Sequence, residues 1–193
     1  VHGSIYGGLA GNGTSGDVLN NTATIEDGQT GAVYGGYADG NGNVKGNIVT
    51  IKGGIMTGVE GGHSDGTGEV SGNTVNLGTA TNAVAAGTTL GTLYGGSKAD
   101  DVSGNTLNIN SRDAQATDIK NFDTVNFDAA HNVSRGDTLL RLTNGAATSL
   151  DWGKMNLRNF DSLTASATTD RILTLIDSTN DVTFTNYDAA RAK

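Results

Sequence analysis

Pairs of aspartates are the residues of this sequence that could most directly do chemistry, because glycoside hydrolases work with two carboxyl groups held close together. Asp39 and Asp65 occupy corresponding places in two similar segments, and Asp100 directly precedes Asp101. These segments are rich in Gly, Asn and Ser, and aspartate is a usual turn residue in such surroundings. We therefore interpret these acids as turn residues and predict no catalytic residue and no enzymatic activity. A polysaccharide lyase or hydrolase is the alternative.

Metal ligands are not grouped in the sequence. His2, His63 and His131 are far apart and cysteine is absent, so no spacing typical of a zinc site occurs. One loop begins like a calcium-binding EF-hand at Asp39, but its twelfth position is Thr50 instead of the glutamate that such a loop needs. The sequence predicts neither a metal site nor a cofactor.

Tyrosine recurs in a tripeptide that could place aromatic rings on a surface. Tyr-Gly-Gly begins at Tyr6, Tyr34 and Tyr94, and Glu-Gly-Gly begins at Glu60. An aliphatic residue precedes each tripeptide; if it points inward on a strand, these four residues point outward, one above another. Exposed tyrosines can stack on sugar rings, or they can stabilise a solvent-facing sheet. Because Glu60 interrupts the column, we favour stabilisation and keep the three tyrosines as candidate ligand-binding residues.

The elements that must position these residues are indicated by a second motif. An eight-residue pattern, seen as VSGNTVNL at 70–77 and VSGNTLNI at 102–109, follows each tripeptide. Its four copies are spaced by 26, 26 and 32 residues, a repeat length typical of a solenoid. Inside each copy, aliphatic residues alternate with Thr or Asn, as in a β-strand with one buried face. The sequence therefore predicts an all-β fold, a right-handed parallel β-helix whose coils each contain two or three short strands.

Asparagine occupies the same position in all four copies and is predicted to form a ladder. Amides stacked from coil to coil can each hydrogen-bond with the coil above and below. We expect the Gly-Gly pairs to turn the corners, where positive φ costs glycine nothing. The predicted ladder residues are Asn21, Asn47, Asn73 and Asn105.

The repeats change after Arg112, so we divide the chain into Gly/Asn-rich coils at 1–112 and wider C-terminal coils at 113–193. The second segment contains two new repeats: IKNFDTV at 119–125 is similar to the later LRNFDSL, and DTLLRL at 137–142 is similar to the later DRILTL. Leu, Phe and Trp are more frequent there, and we expect them to form a heavier core that caps the solenoid. The aromatic residues assigned to this core are Phe122, Trp152, Phe160 and Phe184.

Composition restricts the partners. The formal net charge is −8, which argues against a nucleic-acid partner because phosphate recognition needs a basic face. No apolar run approaches the length of a membrane-spanning helix. Hydrophobic residues make up 35% and aromatic residues 5% of the chain, which predicts a thin core.

The whole chain resembles the passenger region of a Gram-negative autotransporter, a type V secretion protein. The resemblance rests on the glycine-rich repeats followed by NFDTVNF, GDTLLRLT, SLDWGKMNL, ILTLIDST and VTFTNYD. It implies that the second segment is similar to the coils that lie ahead of a membrane-embedded β-barrel in that family. There these coils act as an autochaperone: they fold first and template the rest. The barrel itself is not in this sequence, so we expect membrane contact only through it.

The resemblance also implies a function and a location. Passengers of this family are usually adhesins or aggregation factors on the bacterial surface, tethered to the outer membrane. We therefore expect the solenoid surface to bind a host glycan or host protein, or to associate with like chains between cells. A passive stalk is the second alternative, beside the polysaccharide-cleaving enzyme.

Overall fold

The computed structural model describes residues 3–11, 13, 15–129, 136–144, 148–160 and 173–186. Of these residues 53% are in strands and 2% are helical. The strands are parallel and stacked in sheets, which confirms the prediction of a β-solenoid.

The described residues contain nineteen strands and one short 3-10 helix at Trp152–Lys154. Most strands are short because each one crosses a single side of a coil. In chain order they are β1 (Ile5–Ala10), β2 (Val18–Leu19), β3 (Thr22–Ile25), β4 (Gln29–Ala38), β5 (Val44–Lys45), β6 (Ile48–Ile51), β7 (Ile55–Ser64), β8 (Val70–Ser71), β9 (Thr74–Leu77), β10 (Thr89–Tyr94), β11 (Thr106–Ile109), β12 (Ala114–Ala116), β13 (Ile119–Lys120), β14 (Thr124–Asp128), β15 (Thr138–Leu142), β16 (Ser149–Asp151), β17 (Met155–Arg158), β18 (Thr174–Ser178) and β19 (Thr183–Thr185).

Each coil adds one strand to each of two main sheets. The large sheet has the order β1-β4-β7-β10-β12-β15-β18, with β13 also paired to β10. The second sheet has the order β3-β6-β9-β11-β14-β17. A three-stranded sheet, β2-β5-β8, lies between them in the first coils, and β16 pairs with β19 near the end. The predicted boundary after Arg112 falls between β11 and β12, and both main sheets cross it.

The sequence repeat and the strand register coincide in the first coils. Val18 pairs with Val44, which pairs with Val70. In the large sheet Val33 pairs with Val59, which pairs with Leu93. Identical positions of successive repeats therefore lie one above another, as a solenoid requires.

The core is thin and continuous. Alternate residues of the short strands in the first coils point inward, so Val49 and Ile51, or Val75 and Leu77, are fully buried. Buried apolar residues between Ala23 and Leu150 form one cluster along the solenoid axis. This cluster crosses the predicted boundary after Arg112. Each coil contributes only a few aliphatic side chains, and burying each contributes roughly 1.5–3 kcal/mol.

The corners are made by different residues from those predicted. The Gly-Gly pairs at 7–8, 35–36 and 61–62 lie inside β1, β4 and β7 and do not have positive φ. The residue before each ladder asparagine has left-handed φ instead, at 57°, 68°, 66° and 67° in successive coils. Glycine adopts this conformation without a Cβ penalty, and asparagine tolerates it. The four corner residues are Asn20, Gly46, Gly72 and Gly104.

The C-terminal coils differ from the sequence prediction in two respects. Phe127 pairs with Leu157, and Thr138 pairs with Thr174, so the repeated letters of this segment do not stack on each other. Phe122 and Phe160 are partly buried and pack against the core as predicted, whereas Trp152, which is also partly buried, meets Phe184 edge to face. Phe184 was expected in the core and is 42% exposed; it lies on β19, opposite Leu150 of β16 in a separate two-stranded sheet.

Candidate functional site

The four ladder asparagines lie in one column. The Nδ2 group of Asn21 donates to Oδ1 of Asn47 at 3.0 Å, Asn47 donates to Asn73 at 3.1 Å, and Asn73 to Asn105 at 3.3 Å. The same Oδ1 atoms accept the backbone N–H of the preceding asparagine at 2.8–3.0 Å. Asn47, Asn73 and Asn105 are fully buried, so these bonds satisfy groups that water cannot reach. The column is structural, because the amides of Asn47 and Asn73 use their N–H groups inside it, donating also to the backbone oxygens of Val18 and Val44.

The Gly-Gly pairs are required by this ladder. A Cβ atom on Gly36 would lie 2.6 Å from Nδ2 of Asn47, and one on Gly62 would lie 2.6 Å from Nδ2 of Asn73. These distances are shorter than any normal contact, so a side chain at either glycine would push the ladder away. Glycine here provides space and does not provide a turn.

Two columns of side chains flank the Gly-Gly pairs on the outer face of the large sheet. The first column follows the register from Tyr6 to Tyr34, Glu60 and Tyr94, as the sequence predicted. The second column runs from Leu9 to Tyr37 and His63. This second column was not predicted from the sequence, although the residue after each Gly-Gly pair is its signal.

Four rings of these columns touch one another, and we call them the ring cluster: Tyr6, Tyr34, Tyr37 and His63. Tyr6 and Tyr34 are stacked with centroids 5.2 Å apart, and Tyr37 and His63 are stacked at 4.8 Å. The two stacks meet edge to face at 5.1–5.6 Å. Such arrangements add about 0.5–1.5 kcal/mol per pair beyond burial. The cluster joins the first three strands of the large sheet.

Two carboxylates hold the cluster at its β7 end. His63 Nδ1 lies 2.7 Å from Oε2 of Glu60, and His63 Nε2 lies 3.0 Å from Oδ1 of Asp65. The Tyr37 hydroxyl donates to Oδ2 of Asp65 at 2.5 Å. The polar atoms of His63, Tyr37 and Asp65 are therefore directed at one another.

The electrostatics follow from these bonds. Burial lowers the pKa of His63, but the hydrogen bonds with Glu60 and Asp65 outweigh burial and raise this pKa above its ordinary value of 6.5. The hydrogen bond from Tyr37, and then that from His63, lowers the pKa of Asp65. The same bond to Asp65 raises the pKa of Tyr37, and burial followed by the charge of Glu60 raises the pKa of Tyr34.

The other sequence candidates make no ring contact or hydrogen bond with the ring cluster among the described residues. Tyr94 shares the first column but makes no ring contact within the described residues. Asp39 accepts a hydrogen bond from the backbone of Gly13. Asp101 accepts from Ser97 and from the backbone of Lys98, which is the role of a turn residue.

A second amide ladder lies on the outer face of the second sheet and was not predicted. Nδ2 to oxygen distances along it are 3.1, 2.8, 2.7 and 2.8 Å. Its sequence signal is the triplet TVN or TLN at 74–76, 106–108 and 124–126. The steps between its members vary, at 26, 32, 18 and 30 residues, so no fixed period reveals it. The members are Thr50, Asn76, Asn108, Asn126 and Asn156.

The described part of the chain contains no group of three His, Cys, Asp or Glu side chains placed to hold a metal ion. Within the same residues, no helix has the length and apolar character needed to cross a membrane.

Comparison with known proteins gives no relative for this chain: no family model, no curated protein and no solved structure matches it.

Proposed function

We propose that this chain is a passenger segment of an autotransporter that acts in adhesion or aggregation through the outer face of its solenoid. Its place would be the bacterial surface, with tethering to the outer membrane through a C-terminal barrel. The proposal rests on the resemblance of its motifs and on the type of surface that the coils present.

The observation that supports a binding role is the group of aromatic rings on the outer face of the large sheet. Tyr6 is 41% exposed and stacks by one face on Tyr34, and its neighbour Leu9 is 57% exposed. No hydrogen bond is found for the hydroxyls of Tyr6 and Tyr34 among the described residues. A flat ring, an adjacent apolar side chain and open hydroxyls suit stacking on a sugar ring or on an aromatic side chain of a partner protein.

The C-terminal coils would template folding during secretion. Four large apolar side chains there are fully buried: Phe127, Leu139, Leu140 and Leu142. Stability in a solenoid is close to a sum of coil and neighbour terms, so folding can begin in the coils with the largest buried side chains and propagate. In a chain whose C-terminal end is folded first, this order would draw the remaining coils outward without ATP.

Binding assays with a matched pair of variants test the adhesive role. The purified chain is applied to arrays of glycans and matrix proteins and, attached to beads, is scored for aggregation. We expect Tyr6→Ala to weaken binding about tenfold, since loss of one stacked ring is worth about 1.4 kcal/mol. Tyr94→Ala, in the same column but outside the ring cluster, is the control and is expected to bind like the parent.

The alternatives give different results in the same assays. Equal binding by the parent and both variants would exclude the ring cluster as the contact site. Failure to bind any probe or to aggregate would favour the passive stalk. Release of oligosaccharides from a polysaccharide, abolished by Asp65→Asn, would favour the lyase or hydrolase.

A further inference from the structure

The protonation state of His63 is indicated by its two partners. Both ring nitrogens lie within hydrogen-bond distance of a carboxylate oxygen, at 2.7 Å and 3.0 Å. A carboxylate can only accept, and a neutral imidazole carries a single N–H. One of the two contacts would then place a nitrogen lone pair against a carboxylate oxygen. The doubly protonated imidazolium satisfies both contacts, so this geometry belongs to the charged ring.

The surroundings of His63 keep that charge partly away from water. The His63 side chain is 23% exposed and that of Glu60 is 16% exposed. Tyr37 covers one face of the imidazole, and Tyr34 meets it edge to face. An imidazolium stacked on a tyrosine also gains a cation–π attraction that the neutral ring lacks.

The other charged groups act on the cluster through Asp65 or Tyr37. Lys98, from the loop after β10, donates to the backbone oxygen of Gly66 and adds a positive field at Asp65. Asp39 adds a negative field at Tyr37. Together with Glu60 and Asp65, these are the ionised groups that face the cluster from the packed strands and loops.

Loss of the proton would remove what holds the cluster together. One carboxylate would face a lone pair, and Glu60, which is largely buried, would lose its only recorded partner among the described residues. A buried carboxylate without a donor is costly, so Glu60 or the imidazole must turn toward water. Either movement withdraws the surface on which Tyr37 is stacked.

We propose that His63 is a proton-operated lock: its charged ring keeps the ring cluster closed across the first three coils, and deprotonation opens it. The rings of Tyr34 and Tyr37 touch both His63 and Tyr6, so the change extends from β7 to Tyr6 in β1. This inference concerns the state of the cluster and does not depend on which ligand, if any, the cluster binds.

A pH titration by NMR of the full chain tests the lock. The His63 ring resonance is assigned by its loss in His63→Gln, and the ring resonances of Tyr34 and Tyr37 are followed in the same samples. We expect His63 to titrate with a midpoint above 6.5. The chemical shifts of the two tyrosine rings should change with the same midpoint as His63, and this pH-dependent change should be absent in His63→Gln. A His63 midpoint at or below 6.5, or tyrosine resonances that do not follow it, would overturn the proposal.

A second variant keeps the histidine and removes one partner. Glu60→Gln should lower the His63 midpoint by about one pH unit, the usual effect of a close opposite charge. Glu69→Gln, which alters an exposed carboxylate bonded to Lys45, is the control and should leave the midpoint unchanged. A midpoint in Glu60→Gln equal to that of the parent would exclude the charge pair as the lock, even if His63→Gln failed to fold.

Discussion

The first coils and the C-terminal coils achieve the same fold by different means. Between β1 and β9 the coils repeat at a nearly constant step, and a buried amide ladder links each coil to the next. In the described residues from β12 onward this buried ladder is absent and Phe127, the largest fully buried side chain, lies in the core, while the outer amide ladder of the second sheet continues through Asn126 and Asn156. A constant step puts identical side chains on top of one another, which keeps the asparagines of the buried ladder in register. Where the step varies, the outer ladder of the second sheet continues, and non-directional packing of apolar side chains stabilises the interior.

Hydrogen exchange on the intact chain should reveal the largest difference. We expect the slowest amides in β14 and β15, where the largest side chains are buried, and fast exchange in β1 and β19, whose residues are mostly exposed. The free energy of the opening that permits exchange ranges from almost zero to the full free energy of unfolding. Exchange rates in these strands should therefore differ by roughly a thousandfold or more. Slowest exchange in β5 to β9 would contradict the template role of the C-terminal coils.

The buried ladder should be the most sensitive site for a single substitution. Asn73→Leu removes the hydrogen bonds to Val44 O and to the asparagines of the neighbouring coils. The polar groups of these neighbours are then buried without a partner. We expect a loss of about 3 kcal/mol in the free energy of unfolding, measured with urea. Asn43→Leu is the control: the Asn43 side chain makes one coil-to-coil bond, in which its Oδ1 accepts from the backbone N–H of Glu69, and its loss should cost about 1 kcal/mol. Equal losses of unfolding free energy in the two variants would show that the buried ladder stabilises the fold no more than a single coil-to-coil bond in a loop does.

The close approach of glycine and ladder gives the next effect. Gly62→Ala would place a Cβ against Asn73, Val44 and Val70 at 2.6–2.9 Å. Overpacking of this kind costs about 1–3 kcal/mol. Gly58→Ala lies in the same strand, and the nearest atom to its Cβ is Thr92 O at 3.8 Å, so it should change stability little. Urea unfolding of the two variants measures the contrast, and a neutral Gly62→Ala would refute the steric role of the glycine pairs.

The pH dependence of unfolding should be smaller and confined to the first coils. The pKa of His63 is raised in the folded state, so its contribution is present below about 6.5 and is lost as pH rises through the folded value. The pKa of Asp65 is lowered, so its contribution is present above about 3.8 and is lost as pH falls. Melting temperatures from pH 3 to 9 should show a plateau between these limits. In His63→Gln the alkaline decline should be absent; an unchanged decline would assign it to another group.

Surface ion pairs should have the smallest effect, and they differ between the two regions. Arg141 bridges Asp113 and Asp177 of the coils on either side, at 3.2 and 2.5 Å. Arg141→Gln should cost under about 1 kcal/mol because all three groups are about half exposed. Lys52→Gln, which breaks a single exposed pair with Glu26, should cost under about 0.5 kcal/mol. Urea unfolding in low and high salt checks both, and a loss that high salt does not reduce would exclude an electrostatic origin.

Particular residues show where sequence reasoning succeeded and where it did not. The positions of Asn47 and Asn73 in one column follow from their place in the repeat, because a constant step leaves a single register. The role of the glycine pairs was wrong, because a motif does not reveal which buried side chain lies beneath it. Tyr37 and His63 were missed for a related reason: their contact joins different coils and depends on how the side chains lean across the glycine stripe.

The amino-acid sequence by itself determined the all-β solenoid, the coil length in the first half and the outward column of Tyr6, Tyr34 and Tyr94. Alternation and repetition are local properties, and each specifies a face or a register without knowledge of the rest of the fold. Only the tertiary structure decided that four rings of two columns meet and that His63 faces two carboxylates. These contacts depend on side-chain directions and distances between coils, because strands distant in the sequence become neighbours only when the coils stack.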